Sequence, residues 1–117
     1  MQRWSPEIIR YLYTAADHSR YYQDLSRQLG AFLRPEDRVC DAGCGLGLLS
    51  RALLPYCAHV TAVDRSPAAV AALRARGEDP KLSVLTGDIR ELPPRQPYDA
   101  MVFCLFGDVE EALTVAR

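Results

Sequence analysis

The sequence predicts an α/β domain in which helices pack on a parallel sheet. Three observations predict it. Short apolar runs at Arg38–Asp41, His59–Asp64, Leu82–Thr86 and Tyr98–Cys104 alternate with stretches of helical spacing, the pattern of strand–helix–strand units with right-handed crossovers. The first run leads into Asp41-Ala42-Gly43-Cys44-Gly45-Leu46-Gly47, an acid followed by three alternating glycines. Glycine is placed where backbone must turn sharply or approach a ligand too closely for a Cβ. The second run ends in Asp64, 19 residues after Gly45, near the spacing of about 20 at which a carboxylate reads a ribose in nucleotide-binding α/β units.

The elements follow in order. Ser5-Pro6-Glu7 starts a helix, with a capping hydroxyl, Pro in the first turn and an acid near the positive helix end. Ile8, Leu12 and Ala15 continue it at helical spacing. A second helix carries Tyr22, Leu25, Leu29 and Phe32 on one face; Gly30 weakens it and Pro35 ends it. After the first strand, Leu46–Leu54 reads as a helix stopped by Pro55. Ser66-Pro67 starts the helix after the second strand and Gly77 closes it. Pro93, Pro94 and Pro97 hold the segment between the third and fourth strands as a loop. Asp108 and Glu111 have capping-box spacing, which predicts a last helix through Ala116. Residues 1–36 form an N-terminal helical segment and 37–117 the sheet domain.

Composition narrows the function. Apolar residues make up 49% and charged residues 25%, with a net charge of −1, so the basic footprint of a nucleic-acid binder is missing. No apolar run approaches a membrane span, and the N-terminus lacks a signal-peptide core. The expectation is a reduced, cytoplasmic protein. Cys40, Cys44 and Cys57 with His59 lack the C-x-x-C spacing of a zinc site, so no metal is expected.

The glycine loop does not fit the dinucleotide fingerprint G-x-G-x-x-G: the third glycine would fall at Leu48 or Ser50. Asp41 at the mouth of the loop would repel a pyrophosphate and suits a cationic ligand part, an ammonium or a sulfonium. With these residues the chain resembles the class I S-adenosylmethionine-dependent methyltransferases. Asp41–Gly47 is similar to the first motif of that family, and Asp64 to its ribose-binding acid. Gly87-Asp88-Ile89 is similar to the adenine-binding turn, and Tyr98–Gly107 to the fourth strand and its loop. The ordered motifs cover roughly residues 37–107 and together are far more specific than any one alone.

The resemblance implies a Rossmann-like half-sheet of strand order 3-2-1-4, with S-adenosylmethionine, or its product S-adenosylhomocysteine, above the carboxyl ends of strands 1 and 2. Asp41 would orient the methionine end, or else cap the loop's own amides. Gly43, Cys44 and Gly45 would line the backbone approach. Asp64 would accept from both ribose hydroxyls, the alternative being an N-cap that Ser66 already supplies. Asp88 and Ile89 would hold the adenine, the alternative for Asp88 being a structural turn acid. Arg65 would flank it or else be a solvated neighbour, and Cys104 at the head of the fourth-strand loop completes the set. Tyr13 or Tyr22 would close over the cofactor, although aromatics at this spacing more often form core. His18 is the other candidate there, as a base or simply an exposed side chain. No catalytic residue is assigned.

Methyl transfer is an in-line displacement in which the protein aligns the reactants. The fourth-strand loop Phe103-Cys104-Leu105-Phe106-Gly107 lacks both N-P-P-[YF] and a Pro-Cys pair, which favours a small-molecule acceptor by elimination. A binding module without transferase activity and a nicotinamide-binding domain are the alternative functions. The family continues with about three more strands, so the chain reads as a fragment or an unusually short protein. The continuous apolar run Met101–Phe106 would then leave an unpaired strand 4 edge, which predicts a homodimer or a strand exchange across it.

Overall fold

The computed structural model describes residues 5–88, 98–103 and 114–116. Two helices, α1 (Pro6–Asp17) and α2 (Tyr21–Gly30), precede β1 (Arg38–Ala42) and α3 (Leu48–Leu53). A 3-10 turn (Leu54–Tyr56), β2 (His59–Asp64), α4 (Pro67–Ala75) and β3 (Leu82–Thr86) follow, then β4 (Ala100–Phe103) and β5 (Thr114–Ala116). The sheet order is β3-β2-β1-β4-β5, with the first four strands parallel. This is the α/β half-sheet of order 3-2-1-4 that the sequence predicts.

Local chemistry sets the boundaries. Ser5 Oγ accepts from the Ile8 amide at 3.2 Å, starting α1, and Ser66 Oγ accepts from the Ala69 amide at 3.2 Å, starting α4. α3 begins two residues later than its apolar pattern predicts, because Gly47 stands before it at φ 73° and keeps Leu46 in the loop. At the base of the sheet Arg38 and Asp99 clamp β1 to β4. The Arg38 amide donates to Asp99 Oδ2 and the Asp99 amide to the Arg38 carbonyl, both at 2.8 Å.

Both strand–helix–strand units, β1-α3-β2 and β2-α4-β3, step in the same direction, so right-handed crossovers place α3 and α4 on one face. Val39, Val60, Ala100 and Val102 point to that face and pack with Leu29 of α2 and Leu49 and Leu53 of α3. Tyr22 and Leu25 of α2 pack against this cluster, so Tyr22 belongs to the core rather than to a lid. Phe32 departs from the expected helical face: α2 ends at Gly30 and Phe32 is 69% exposed. A Cβ on Gly30 would meet the Tyr56 ring at 2.5 Å, so here glycine permits close packing of the helix end.

The C-terminal segment differs from the sequence reading. Thr114–Ala116 is not helix; it forms β5, antiparallel to β4, pairing Met101 with Ala116, Val102 with Val115 and Phe103 with Thr114. The proposed cap at Asp108 and Glu111 lies outside the described residues, as do Ile89, the prolines at 93, 94 and 97, and Cys104. The edge of β4 that was expected to stand open is therefore paired within the chain. An unpaired row of backbone groups on an apolar strand is costly, and this outweighs a three-residue preference for helix.

Candidate functional site

The carboxyl ends of β1, β2 and β3 converge on the glycine loop. Gly43, Gly45 and Gly47 all have positive φ, at 72°, 56° and 73°. The turn they make brings the Gly43 and Cys44 amides onto the Val63 carbonyl, at 2.8 and 2.9 Å. The loop is thus tied to the last turn of backbone in β2, and Gly43 stays exposed while Gly45 and Gly47 are buried.

Asp64, half-buried at the end of β2, organises this corner. Its Oδ2 accepts from the Gly45 amide at 2.8 Å and its Oδ1 from the Ser66 amide at 2.8 Å. Its carbonyl accepts from the Gly87 amide at 2.9 Å, which draws the turn after β3, with half-buried Asp88, beside it. A carboxylate has about four lone-pair sites, so two remain for a vicinal diol. The carboxylate that serves the loop's amides is therefore Asp64, and the alternative reading that gave this job to Asp41 is corrected.

Asp41 lies two residues after Val39 and faces the helix layer. It is 1% exposed. Its Oδ2 accepts from Ser50 Oγ of α3 at 2.5 Å, and its Oδ1 has no partner among the described residues. Burial pushes its pKa up to about 7; the Ser50 bond opposes the rise and Asp64 adds to it. Cys44 shares the corner. Burial pushes its thiol up, and the carboxylates of Asp41 and Asp64 push it further, so it stays a neutral thiol at pH 7 rather than a nucleophile.

The sequence reading placed Asp41, Gly43, Cys44, Gly45 and Asp64 in one site, and the fold brings them together with Asp88 alongside. Arg65 is exposed on the turn into α4, and among the described residues no contact draws it to the loop. Ser50 was not foreseen. It reads as one more polar residue in a short helix, and its only signal is helical spacing, four residues after Leu46 and three before Leu53, both buried. Tyr13 reaches the loop from α1: its hydroxyl donates to the Leu46 carbonyl at 3.1 Å, and the Arg76 guanidinium sits 4.1 Å from its ring centroid. Arg76 also pairs with Asp17 at 3.7 Å. None of the described side chains of α1 is fully buried, so this group of contacts carries much of its attachment.

The site can take a cationic, nucleoside-bearing ligand. An enclosed carboxyl with an orphan oxygen awaits a donor or a cation, and a second carboxylate at the β2 end has free acceptor sites.

Comparison with known proteins identifies the family. A family model described as a methyltransferase domain matches residues 39–116. Trans-aconitate 2-methyltransferase of Mycobacterium marinum is 38% identical over 101 residues, covering 85% of this chain and 35% of that protein. Its counterpart in Escherichia coli O157:H7 is 37% identical over 102 residues, covering 85% and 38%. The chain thus spans a little over a third of the length of these curated relatives. The solved structure of CalS10, an amino pentose methyltransferase from Micromonospora echinaspora involved in calicheamicin biosynthesis, was determined with S-adenosylmethionine bound. It superposes with a TM-score of 0.65 at 26% identity, over 80% of this chain and 42% of that one. Streptomyces venezuelae DesVI shares the fold at a TM-score of 0.67 and 16% identity, over 81% and 41%. With the glycine loop, the two acids and the sheet order in place, this chain belongs to the methyltransferase-domain family.

Proposed function

We propose that the chain binds S-adenosylmethionine and takes part in methyl transfer to a small organic acceptor. The observation that carries this reading is the pair of carboxyls at the glycine loop: Asp41 buried with an orphan oxygen, and Asp64 half-buried with acceptor capacity left. When bound, S-adenosylmethionine supplies a methyl group activated on a sulfonium sulfur. Asp41 then faces the cationic methionine part and Asp64 accepts from the ribose hydroxyls. Asp88 and Ile89 hold the adenine, with Arg65 flanking it. Gly43, Cys44 and Gly45 line the approach, and Cys104 closes the set. Residues 37–117 carry the cofactor and residues 1–36 cover it, with Tyr13 as the link. Relatives named for trans-aconitate and for an amino pentose support a small acceptor.

The test is calorimetric titration with S-adenosylhomocysteine, with NAD as control. Binding of the first alone is expected. Binding of NAD, or of neither by a folded chain, overturns the reading. Asp64→Ala is expected to weaken S-adenosylhomocysteine binding by about 1–3 kcal/mol, the scale of hydrogen bonds to a charged acceptor. An unchanged affinity in a folded variant removes Asp64 from the site.

The free thiols of Cys40, Cys44 and Cys57 support a reducing, cytoplasmic setting. Among the described residues no helix is long and apolar enough to cross a membrane. A homodimer is the accompanying proposal. Its edge is now β5, a three-residue strand that covers part of β4, and a monodisperse monomer in light scattering would overturn it.

A further inference from the structure

Among the described residues Asp41 is the one charged side chain of the site closed off from solvent, and those that surround it leave its charge uncompensated. From α3 it meets the Ser50 hydroxyl at 2.5 Å. From the end of β2 it feels the Asp64 carboxylate, which opposes a second negative charge. Cys40 beside it on β1 and Cys44 in the loop are thiols, both raised by burial. On the neighbouring strands its register partners are Ala62 of β2 and Val102 of β4. Arg51, next to Ser50 on α3, turns its guanidinium away to the carbonyls of Leu73 and Gly77, at 2.9 and 2.6 Å. An enclosed carboxyl in this position is satisfied either by a proton or by a cation brought from outside. The Ser50 hydroxyl donates to it and so favours the charged form.

We infer that Ser50 is a positioning residue of the cofactor site. By donating to Asp41 it fixes the carboxyl at the root of the glycine loop and sets how readily the proton on Asp41 leaves when the ammonium of the cofactor's methionine part arrives. This inference rests on the cofactor reading above. No covalent bond is made or broken on the ligand: the carboxyl O–H releases its proton to solvent, and the carboxylate stays paired with the incoming cation. Ser50 touches no part of the ligand; it acts through Asp41.

The experiment is titration of the chain with S-adenosylhomocysteine between pH 6 and 8.5, repeated in buffers of different ionisation enthalpy to count protons exchanged. With Asp41 titrating near 7, the unmodified chain is expected to release about half a proton at pH 7. Ser50→Ala is expected to weaken binding about three- to tenfold at pH 7 and to recover most of it by pH 8.5, because the proton now leaves at higher pH. Ser50→Thr, which keeps the hydroxyl, is expected to follow the unmodified profile. Binding with no proton release, or a Ser50→Ala loss that is equal at every pH, overturns the inference and leaves the cofactor reading standing. If Ser50→Ala does not fold, Ser50→Cys, a weaker donor of similar size, takes its place: a binding profile shifted to higher pH supports the inference, and one that coincides with the unmodified chain overturns it. Absence of binding at every pH overturns both.

Discussion

Asp41→Asn is expected to raise the unfolding free energy by about 2–4 kcal/mol at pH 8 and to leave it nearly unchanged at pH 4. The side chain keeps its shape, so the difference is one of charge. In the unfolded chain Asp41 ionises near 3.9; in the folded chain burial holds its pKa at about 7. Between those values the folded state binds the proton and the unfolded state does not. Stability from this group therefore falls as pH rises from about 4 to 7, and the full cost is present above 7. Asn does not titrate and escapes the cost. Urea unfolding of both proteins at pH 4 and 8 measures it. A less stable Asn variant at pH 8 would mean that the charge is compensated inside the fold. Under the proposed function the same substitution removes the carboxylate that would face the cofactor, so a gain in stability with a loss of S-adenosylhomocysteine affinity is the expected pairing.

Gly47→Ala is expected to cost about 2–4 kcal/mol. A left-handed backbone at φ 73° disfavours any Cβ by about 1–2 kcal/mol. The added methyl would also lie 2.4 Å from Leu73 Cδ1 and 2.6 Å from Cδ2, closer than atoms in contact approach. Leu73 is fully buried in α4, so it yields only by disturbing its own neighbours. Leu73→Ala alone is expected to cost about 2–5 kcal/mol through the cavity it leaves. The double variant should fall short of the summed losses by about 1–2 kcal/mol, because the new methyl then has room. Strict additivity in urea unfolding would assign the whole cost of Gly47→Ala to its backbone. Either result bears on the proposed function, since Gly47 joins the glycine loop to α3.

Much of this site was legible in sequence because its logic is local. Asp41 and the three glycines lie within seven residues, and the loop's positive φ angles are ones that glycine readily adopts. Asp64 announces itself by closing a β-branched run at a fixed distance. The bounds of β2 and β3 match their apolar runs because each run ends at turn residues, Arg65-Ser66-Pro67 after β2 and Gly87 after β3, although β3 lies at the sheet edge and is only partly buried. What escaped were pairings across the fold. Ser50 was invisible as a partner of Asp41, because the bond depends on how α3 settles over β1. Tyr13 and Tyr22 look alike in sequence, yet one reaches the Leu46 carbonyl and the other packs into the core, according to the angles at which α1 and α2 dock. Thr114–Ala116 carries a helical pattern and forms a strand, since the need of β4 for an edge partner is a property of the sheet.

The sequence by itself determined the order of elements, the half-sheet architecture, the loop and the identities of its acids, because these follow from periodicity, backbone preference and side-chain charge. Only the tertiary structure decided which acid serves the loop amides, which stands buried with an oxygen unmatched, and which strand closes the sheet. Those outcomes depend on desolvation and on hydrogen-bond partners contributed by distant segments, and neither quantity exists until the chain has packed.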